Sequence, residues 1–529
     1  MASRAITASV HRRIPAGWAE SAAAVVALIA VWQLLAAVVF TGRHVVPAPS
    51  QVVAAAVGAR FYWPNLQVTL WEAVRGWLAG NIAALVLAVV ALLVPRLSRP
   101  FQQFGAITYC VPTVAVGPLL LIVTDPDTTK VLIAALSVFF TSLIAWMTGL
   151  RASDQSSLDL VRAFGGGRLD ELVRVRLRAA LPSAAGGLAL SAPAAFLGAI
   201  IGEYLGGVNG LGVAMVSAEE NFQVPQTWAI GLIATAVSGL AYGVVLLAAR
   251  SLAGGPRTGT SAAAVAPDMT PNGPGWLLFR LASPLAALAA MVAAWAVSVK
   301  LAGLSSYFAK SPSDVWSFLV SGSGAAANRG VVFGALWTTV RDAGGGWAAG
   351  TIVALIGAAL LVQIPRLRSV IMPMVMVLRS VPLIAMTPLI ALVFGQGTAG
   401  VTVIAGIVTF VPTLVLVTSG LQTAPPDAID LARAYNLPGL RVLLSVRSRY
   451  ATPSLFAAAK VAIPGAILGA VLAEWLLTGG GIGHLMAVSL IGSDFGTLWA
   501  SVVVVSGVSL VLYEIVGAAE TAAERRLAS

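Results

Sequence analysis

Ionisable side chains inside long apolar runs are the first residues of this sequence with chemistry to explain. Glu203 and Glu474 stand near the ends of two such runs, each just ahead of a glycine-rich turn, GGVNGLG and TGGGIG. Arg379 lies about ten residues into a third run, and charges within a bilayer are costly enough to be kept for a use. The two glutamates can line an outer gate, pair across the interface of two halves, or reach interfacial water. The arginine can face a path for an anionic solute or bind helix-end carbonyls. These three are the candidates for a solute pathway.

A second constellation lies between apolar runs. Asp159, Leu160, Val161, Arg162 and Ala163 are followed by Gly165, and the pattern returns as Asp430, Leu431, Ala432, Arg433, Ala434 and Asn436. Glycine and asparagine are the residues that best tolerate positive φ, so their pairing predicts a real turn after a short helix. A second, basic helix should follow, carrying Arg174, Arg176 and Arg178 in the first copy and ending at Pro182, or at Pro453 in the second. Cationic side chains are favoured on the inner face of a membrane. An isolated basic loop would be no more than a topology signal, but the length and duplication of this one point to a docking element for a cytoplasmic partner.

Other chemistry is missing. None of the four lysines follows a glycine, so there is no GxxxxGK[ST] phosphate loop, and Gly165–Gly167 lacks the strand a nucleotide loop needs. His11, His44 and His484 are scattered, which argues against a metal site, and no nucleophile–base pair emerges. The expectation is a chain that is no enzyme and binds no cofactor itself.

The elements that must position these residues are membrane spans. Hydrophobic residues make up 58% of the 529 and charged residues 10%, far below the roughly one quarter of a soluble chain. The net charge of +11 falls in short clusters between apolar runs, which excludes a nucleic-acid-binding reading. The single cysteine, Cys110, excludes a disulfide framework. Runs of about 20 residues, enough to span, lie near Ser21–Phe40, Trp77–Val94, Phe104–Val123, Val131–Leu150, Ser183–Leu205 and Trp228–Ala249. They recur near Trp276–Val299, Trp347–Val362, Val370–Phe394, Gly400–Leu421, Leu455–Leu477 and Leu498–Ala518. The expected fold is all-α: a polytopic membrane protein of about 12 transmembrane helices.

The halves are copies. A shift of 271 carries Asp159 to Asp430, Pro193 to Pro464, Glu203 to Glu474 and Gly210 to Gly481. Earlier, a shift of 270 pairs Thr69 with Thr339, Gly80 with Gly350, Pro112 with Pro382 and Pro118 with Pro388, and a shift of 263 pairs Pro49 with Pro312. Seven residues were therefore added between those last points. Six spans per copy make two parallel repeats, with units at 1–250 and 276–529 joined by a Gly/Pro/Ser/Thr-rich linker at 251–275. The prolines within the third and fifth spans would kink helices lining the path, or merely curve them for packing. With the N-terminus inside, 22 of the 32 Lys and Arg residues fall on inner segments and eight on outer ones, so both termini and the linker are expected in the cytoplasm.

The duplicated loops resemble the EAA loop of ABC importer permeases: an acidic residue and two small ones, a glycine, then Leu-Pro. Asp159, Leu160, Val161, Gly165, Leu181 and Pro182 occupy those places in the first copy, and Asp430, Leu431, Ala432, Asn436, Thr452 and Pro453 in the second. LRSVPLIAMTPLIALVFGQG, GAVLAEWLLTGGGIG and GAIIGEYLGGVNGLG are similar to the third and fifth spans of the nitrate/sulfonate/taurine-type permeases. The resemblance implies a bacterial plasma-membrane permease with two ATP-binding cassette subunits on its cytoplasmic side. ATP-Mg would be held by those subunits, and an extracytoplasmic protein would deliver a small anion or related solute. It also implies that the twelve loop residues from Asp159 to Gly165 and Asp430 to Asn436 named above couple to the ATPase. A secondary transporter with two parallel six-helix repeats is the alternative, but it has no need of twin docking helices.

Overall fold

In a computed structural model of the chain, residues 46–58, 62–252, 276–301, 305–379 and 393–528 are described, with isolated positions in 26–38 and Gly303, Thr387 and Ile390. Much of the expected span Ser21–Phe40, nearly all of the linker, and Pro382 and Pro388 lie outside these residues.

The described residues form helices and no strand. The first half holds α1 (Pro49–Gly58), α2 (Tyr62–Leu93), α3 (Ser98–Cys110), α4 (Thr113–Val123), α5 (Pro126–Arg151), α6 (Gln155–Ala163), α7 (Leu177–Gly206), α8 (Leu211–Glu220) and α9 (Val224–Leu252). The second holds α10 (Trp276–Leu301), α11 (Pro312–Trp316), α12 (Ala325–Gln363), α13 (Pro365–Arg379), α14 (Thr398–Leu421), α15 (Pro426–Ala434), α16 (Ser448–Leu477), α17 (Ile482–Ile491) and α18 (Phe495–Ala528). Eight helices among the described residues are long and apolar enough to cross a membrane, or nine if the bent pair of α3 and α4 is taken as one span. The chain is a polytopic all-helical membrane protein built of two repeats.

Three sequence expectations need correction. The short spans Trp77–Val94 and Trp347–Val362 are the ends of much longer helices, α2 of 32 residues and α12 of 39. Polar residues such as Thr69, Glu72, Thr339 and Asp342 interrupt the apolar run but not the helix: all four are buried, the first three pair with neighbouring spans, and Asp342 pairs with Arg341 beside it. In the first repeat the third span is not one kinked helix: α3 and α4 meet at 93°. Val111, which precedes Pro112, is extended (φ −79°, ψ 118°), as sterics before proline favour. The basic helix of each loop does not end at Pro182 or Pro453; both lie inside continuous helices that run on through the fifth span.

In each half the second, fourth and fifth spans pack on one another. Gly76 and Gly80 form a GxxxG step on α2, repeated by Gly346 and Gly350 on α12. A Cβ on Gly80 would come within 2.6 Å of the Ala135 carbonyl oxygen, and one on Gly346 within 2.7 Å of that of Thr402. Backbone meets backbone here, the close packing that drives helix association in lipid. The two halves share their cores: Ala115 and Leu119 of α4 join the second half's cluster around Ile467 and Met486, and Leu472 of α16 joins the first half's around Phe196 and Ile200.

Candidate functional site

Both duplicated loops fold alike. α6 stops at a turn in which the Gly166 N–H donates to the Val161 carbonyl and the Gly165 N–H to that of Arg162, each at 2.9 Å. At α15 the same two bonds run from Leu437 to Ala432 and from Asn436 to Arg433, at 3.1 and 2.8 Å. This is the Schellman arrangement, which needs a left-handed residue after the cap. Gly165 and Asn436 supply it, with φ of 76° and 55°. Beyond the turn the backbone rises through Arg168–Asp170 and a wider-wound stretch, Glu171–Arg176, into α7; Gly439–Val442 and Leu443–Arg447 lead into α16 in the same way.

What these loops present is apolar. Leu160, Phe164, Leu169 and Val173 are all exposed, and so are Leu431, Tyr435, Leu440 and Leu444. The two sets correspond one to one at the shift of 271. Opposite them, Leu158, Leu172, Ala432 and Leu443 are buried against the spans. Sequence reasoning picked out Leu160 and Leu431 but passed over the other six, whose signal is an i, i+4 spacing of bulky residues either side of the turn.

The charges differ between the loops. Arg162 pairs with Asp159 at 3.1 Å and reaches across the turn to Glu171 at 2.7 Å, while Arg176 pairs with Glu171 at 3.4 Å. Arg162 first and Arg176 after it hold the Glu171 carboxyl below its ordinary pKa, against the opposing effect of desolvation. In the second loop Arg433 meets only Asp430, at 3.4 Å, and Val442 stands where Glu171 would be. A cavity of about 220 Å³ opens there, lined by Gln363, Arg433, Leu437, Val442 and Arg447. Asp159 and Asp430 are exposed, and solvent screening leaves pairs of this kind little to contribute to stability.

The intramembrane glutamates are turned inward. Glu203 accepts from the Thr69 hydroxyl at 2.7 Å and from the Gly212 N–H at 2.7 Å, and the Leu211 N–H donates to the Thr69 oxygen at 2.9 Å. Glu474 repeats this, accepting from Thr339 at 2.7 Å and from the Gly483 N–H at 3.0 Å, with the Ile482 N–H on Thr339 at 2.8 Å. The first N–H groups of a helix have no partner within it. Each Glu–Thr pair satisfies those of α8 or α17, so both carboxylates act as helix caps and neither reaches water. Gly210 and Gly481 precede the caps at φ of 123° and 89°, and a side chain there would run into the carboxylate. Arg379 closes α13, and its side chain lies outside the described residues. The geometry thus sets Leu160 and Leu431, with the charged candidates beside them, on two matched surfaces, and holds Glu203 and Glu474 in two separate caps.

Comparison with known proteins agrees with the duplication. The family model described as "Binding-protein-dependent transport system inner membrane component" matches residues 79–254 and again 346–529. A Haemophilus influenzae protein named as an ABC transporter permease is 32% identical over 213 residues, 87% of its length and 40% of this chain. A Bacillus subtilis protein named as an aliphatic sulfonates transport permease is 27% identical, over 82% of its length and 42% of this chain. The riboflavin transport system permease protein of Chloroflexus aurantiacus is 26% identical, over 83% of its length and 43% of this chain. Such relatives are each about one unit long, where this chain has two. With both units matched by one family model, the chain belongs to the binding-protein-dependent inner-membrane components and is an ABC transporter permease.

Proposed function

We propose that this chain forms both membrane units of an ATP-driven importer and couples to two separate ATP-binding subunits through its paired loops. The observation that carries the reading is the set of four exposed apolar positions repeated on both loops, since exposed apolar surface on a water-facing loop marks a partner site. The excess of Lys and Arg on the segments holding the loops and termini supports a cytoplasmic location for them. Asp159 and Arg162, with Asp430 and Arg433, would fix the first helix of each loop beneath its ATPase. The ATPases would hold ATP-Mg, and an extracytoplasmic binding protein would deliver the solute.

The relatives' names give three different cargoes: aliphatic sulfonates, riboflavin and formylaminopyrimidine. A small anion or related small molecule is the class we infer. Co-expression with candidate ATPase subunits tests the coupling: two ATPase subunits should co-purify per chain, and uptake in proteoliposomes should require them. Uptake by the chain alone would sink the proposal in favour of a secondary carrier.

A further inference from the structure

The two loops hold their arginines in the same way, but only the first has an anion between them. There the Arg162 Nη1 meets Asp159 at 3.1 Å, its Nε meets one Glu171 oxygen at 2.7 Å, and the Arg176 Nη2 meets the other at 3.4 Å. The Arg176 Nη1 donates to the Leu150 carbonyl at the end of the fourth span, also at 3.4 Å. One carboxylate thus bridges the short helix of the loop and the stretch that enters the fifth span.

At the shift of 271 the arginines are Arg433 and Arg447. The Arg433 Nη1 meets Asp430 at 3.4 Å and the Arg447 Nη1 donates to the Leu421 carbonyl at 3.0 Å, so both keep the anchors of their counterparts. The Nε and Nη2 atoms that grip Glu171 in the first loop have no acceptor among the described residues of the second, because Val442 stands in its place. Gly439 likewise stands for Arg168, whose side chain reaches the Leu93 carbonyl in the first loop.

Two long side chains are exchanged for two short ones, and the cavity of about 220 Å³ is the space left between them. Gln363, the last residue of α12, brings an amide to its wall, and a Cβ on Gly439 would stand 3.7 Å from the Gln363 Oε1. None of the lining residues is acidic. Asp430 is not among them; it is 70% exposed and engages the same arginine nitrogen that Asp159 engages in the first loop.

We propose that this cavity binds an oxyanion in the role of the Glu171 carboxylate: a phosphate group, carried by an anionic phospholipid or free in solution. Two guanidinium groups offering separate N–H donors suit a centre with two or more oxygens, the geometry in which arginine recognises carboxylate and phosphate. A protein docked on the loop would not reach the site. On α15, Ile429 and Arg433 line the cavity while Leu431 and Tyr435 are exposed two residues away, roughly 200° round the helix. The cavity lies instead beside the last turn of α12, where a span meets the membrane surface and basic pockets take lipid headgroups. The bound anion would tie α15 to the stretch entering α16 as Glu171 ties α6 to the stretch entering α7. The site needs only the two loops, so it stands apart from the importer reading.

Hydrogen exchange on the full chain tests it, read over residues 426–434 with 155–163 as the internal control. One arm adds inorganic phosphate, at constant ionic strength, to the chain in phosphatidylcholine nanodiscs. The other compares those nanodiscs with ones that also contain phosphatidylglycerol. In at least one arm exchange over 426–434 should slow, by about tenfold at about ten times the dissociation constant, while 155–163 does not respond. Slowing with phosphatidylglycerol alone assigns the site to a lipid headgroup, and slowing with phosphate shows that the free ion suffices. R433Q changes a largely exposed side chain and should cancel the response. V442E restores the first loop's carboxylate, so its 426–434 should exchange slowly with neither anion present and gain nothing from either. No slowing of the wild type in either arm overturns the proposal, as does equal slowing of both loops or a response that persists in R433Q or V442E.

Discussion

Thr69 donates its hydroxyl hydrogen to Glu203 across 2.7 Å, joining two residues 134 positions apart that are both sealed from solvent. The same hydroxyl oxygen accepts from the Leu211 N–H, so one threonine ties the second span to the fifth and to the start of α8. Replacing it with valine leaves a buried carboxylate oxygen and a buried N–H without their partner. T69V should therefore lose about 1–3 kcal/mol of stability, and T339V a similar amount, while T69S should recover most of it. Thermal unfolding of the detergent-solubilised protein is the measurement, and equal melting of T69V and wild type would refute the capping role.

The exposed loop surface makes a different demand. F164D and Y435D remove apolar contact without disturbing anything buried, so each variant should melt like wild type. If the loops dock ATPase subunits, each variant should lose one of two bound subunits and the double variant both. Quantitative co-purification reads this directly, and full retention of both subunits would refute it.

Helix packing at the GxxxG steps is a third point of test. A valine at Gly80 must displace the Ala135 backbone, and overpacking of this kind costs typically 1–3 kcal/mol. G80V should destabilise the protein markedly, whereas G239V, at a glycine with open space around it, should not. Comparing the two by thermal unfolding checks the claim.

Acid should loosen one loop before the other. Glu171 has its pKa held down by Arg162 and Arg176, so its contribution to folding is present at neutral pH. That contribution is lost as pH falls through its folded value, below the usual glutamate range near about 4.3. Val442 gives the second loop no such dependence. Hydrogen exchange of residues 155–163 should accelerate relative to 426–434 below about pH 4, and E171Q should remove the acid-induced part of that difference. Equal acid response of the two loops would count against the pairing.

Much of this was legible in the sequence because it is carried by local rules or by repetition. The constant shift of 271 registers the two loops, and glycine opposite asparagine announces the left-handed turns that Gly165 and Asn436 adopt. Cargo, span length and cap geometry were not legible, for physical reasons. Hydropathy marks where lipid begins, but α2 continues as a helix through Thr69 and Glu72, whose polarity is met by other spans. An intramembrane glutamate signals a cost without saying what offsets it, and for Glu203 the offset is an N-terminus that folds back only after the chain turns at Gly210. The right-angle bend at Val111–Pro112 was hidden because proline in a span can kink, break or simply be tolerated. The packing of α3 and α4 against α5 and α7 of their own half and against α10, α16 and α18 of the other selects among these.

The bond between Thr69 and Glu203 has a mechanical consequence. Three lengths of chain clamped by one sealed carboxylate cannot slide past one another without stripping several polar atoms of their partners at once. In any cycle that opens this protein to each side in turn, α2, α7 and α8 must therefore travel as a single strut, with α12, α16 and α17 as its twin. The flexing is left to the joints between struts, and among the described residues the extended Val111–Pro112 elbow is such a joint.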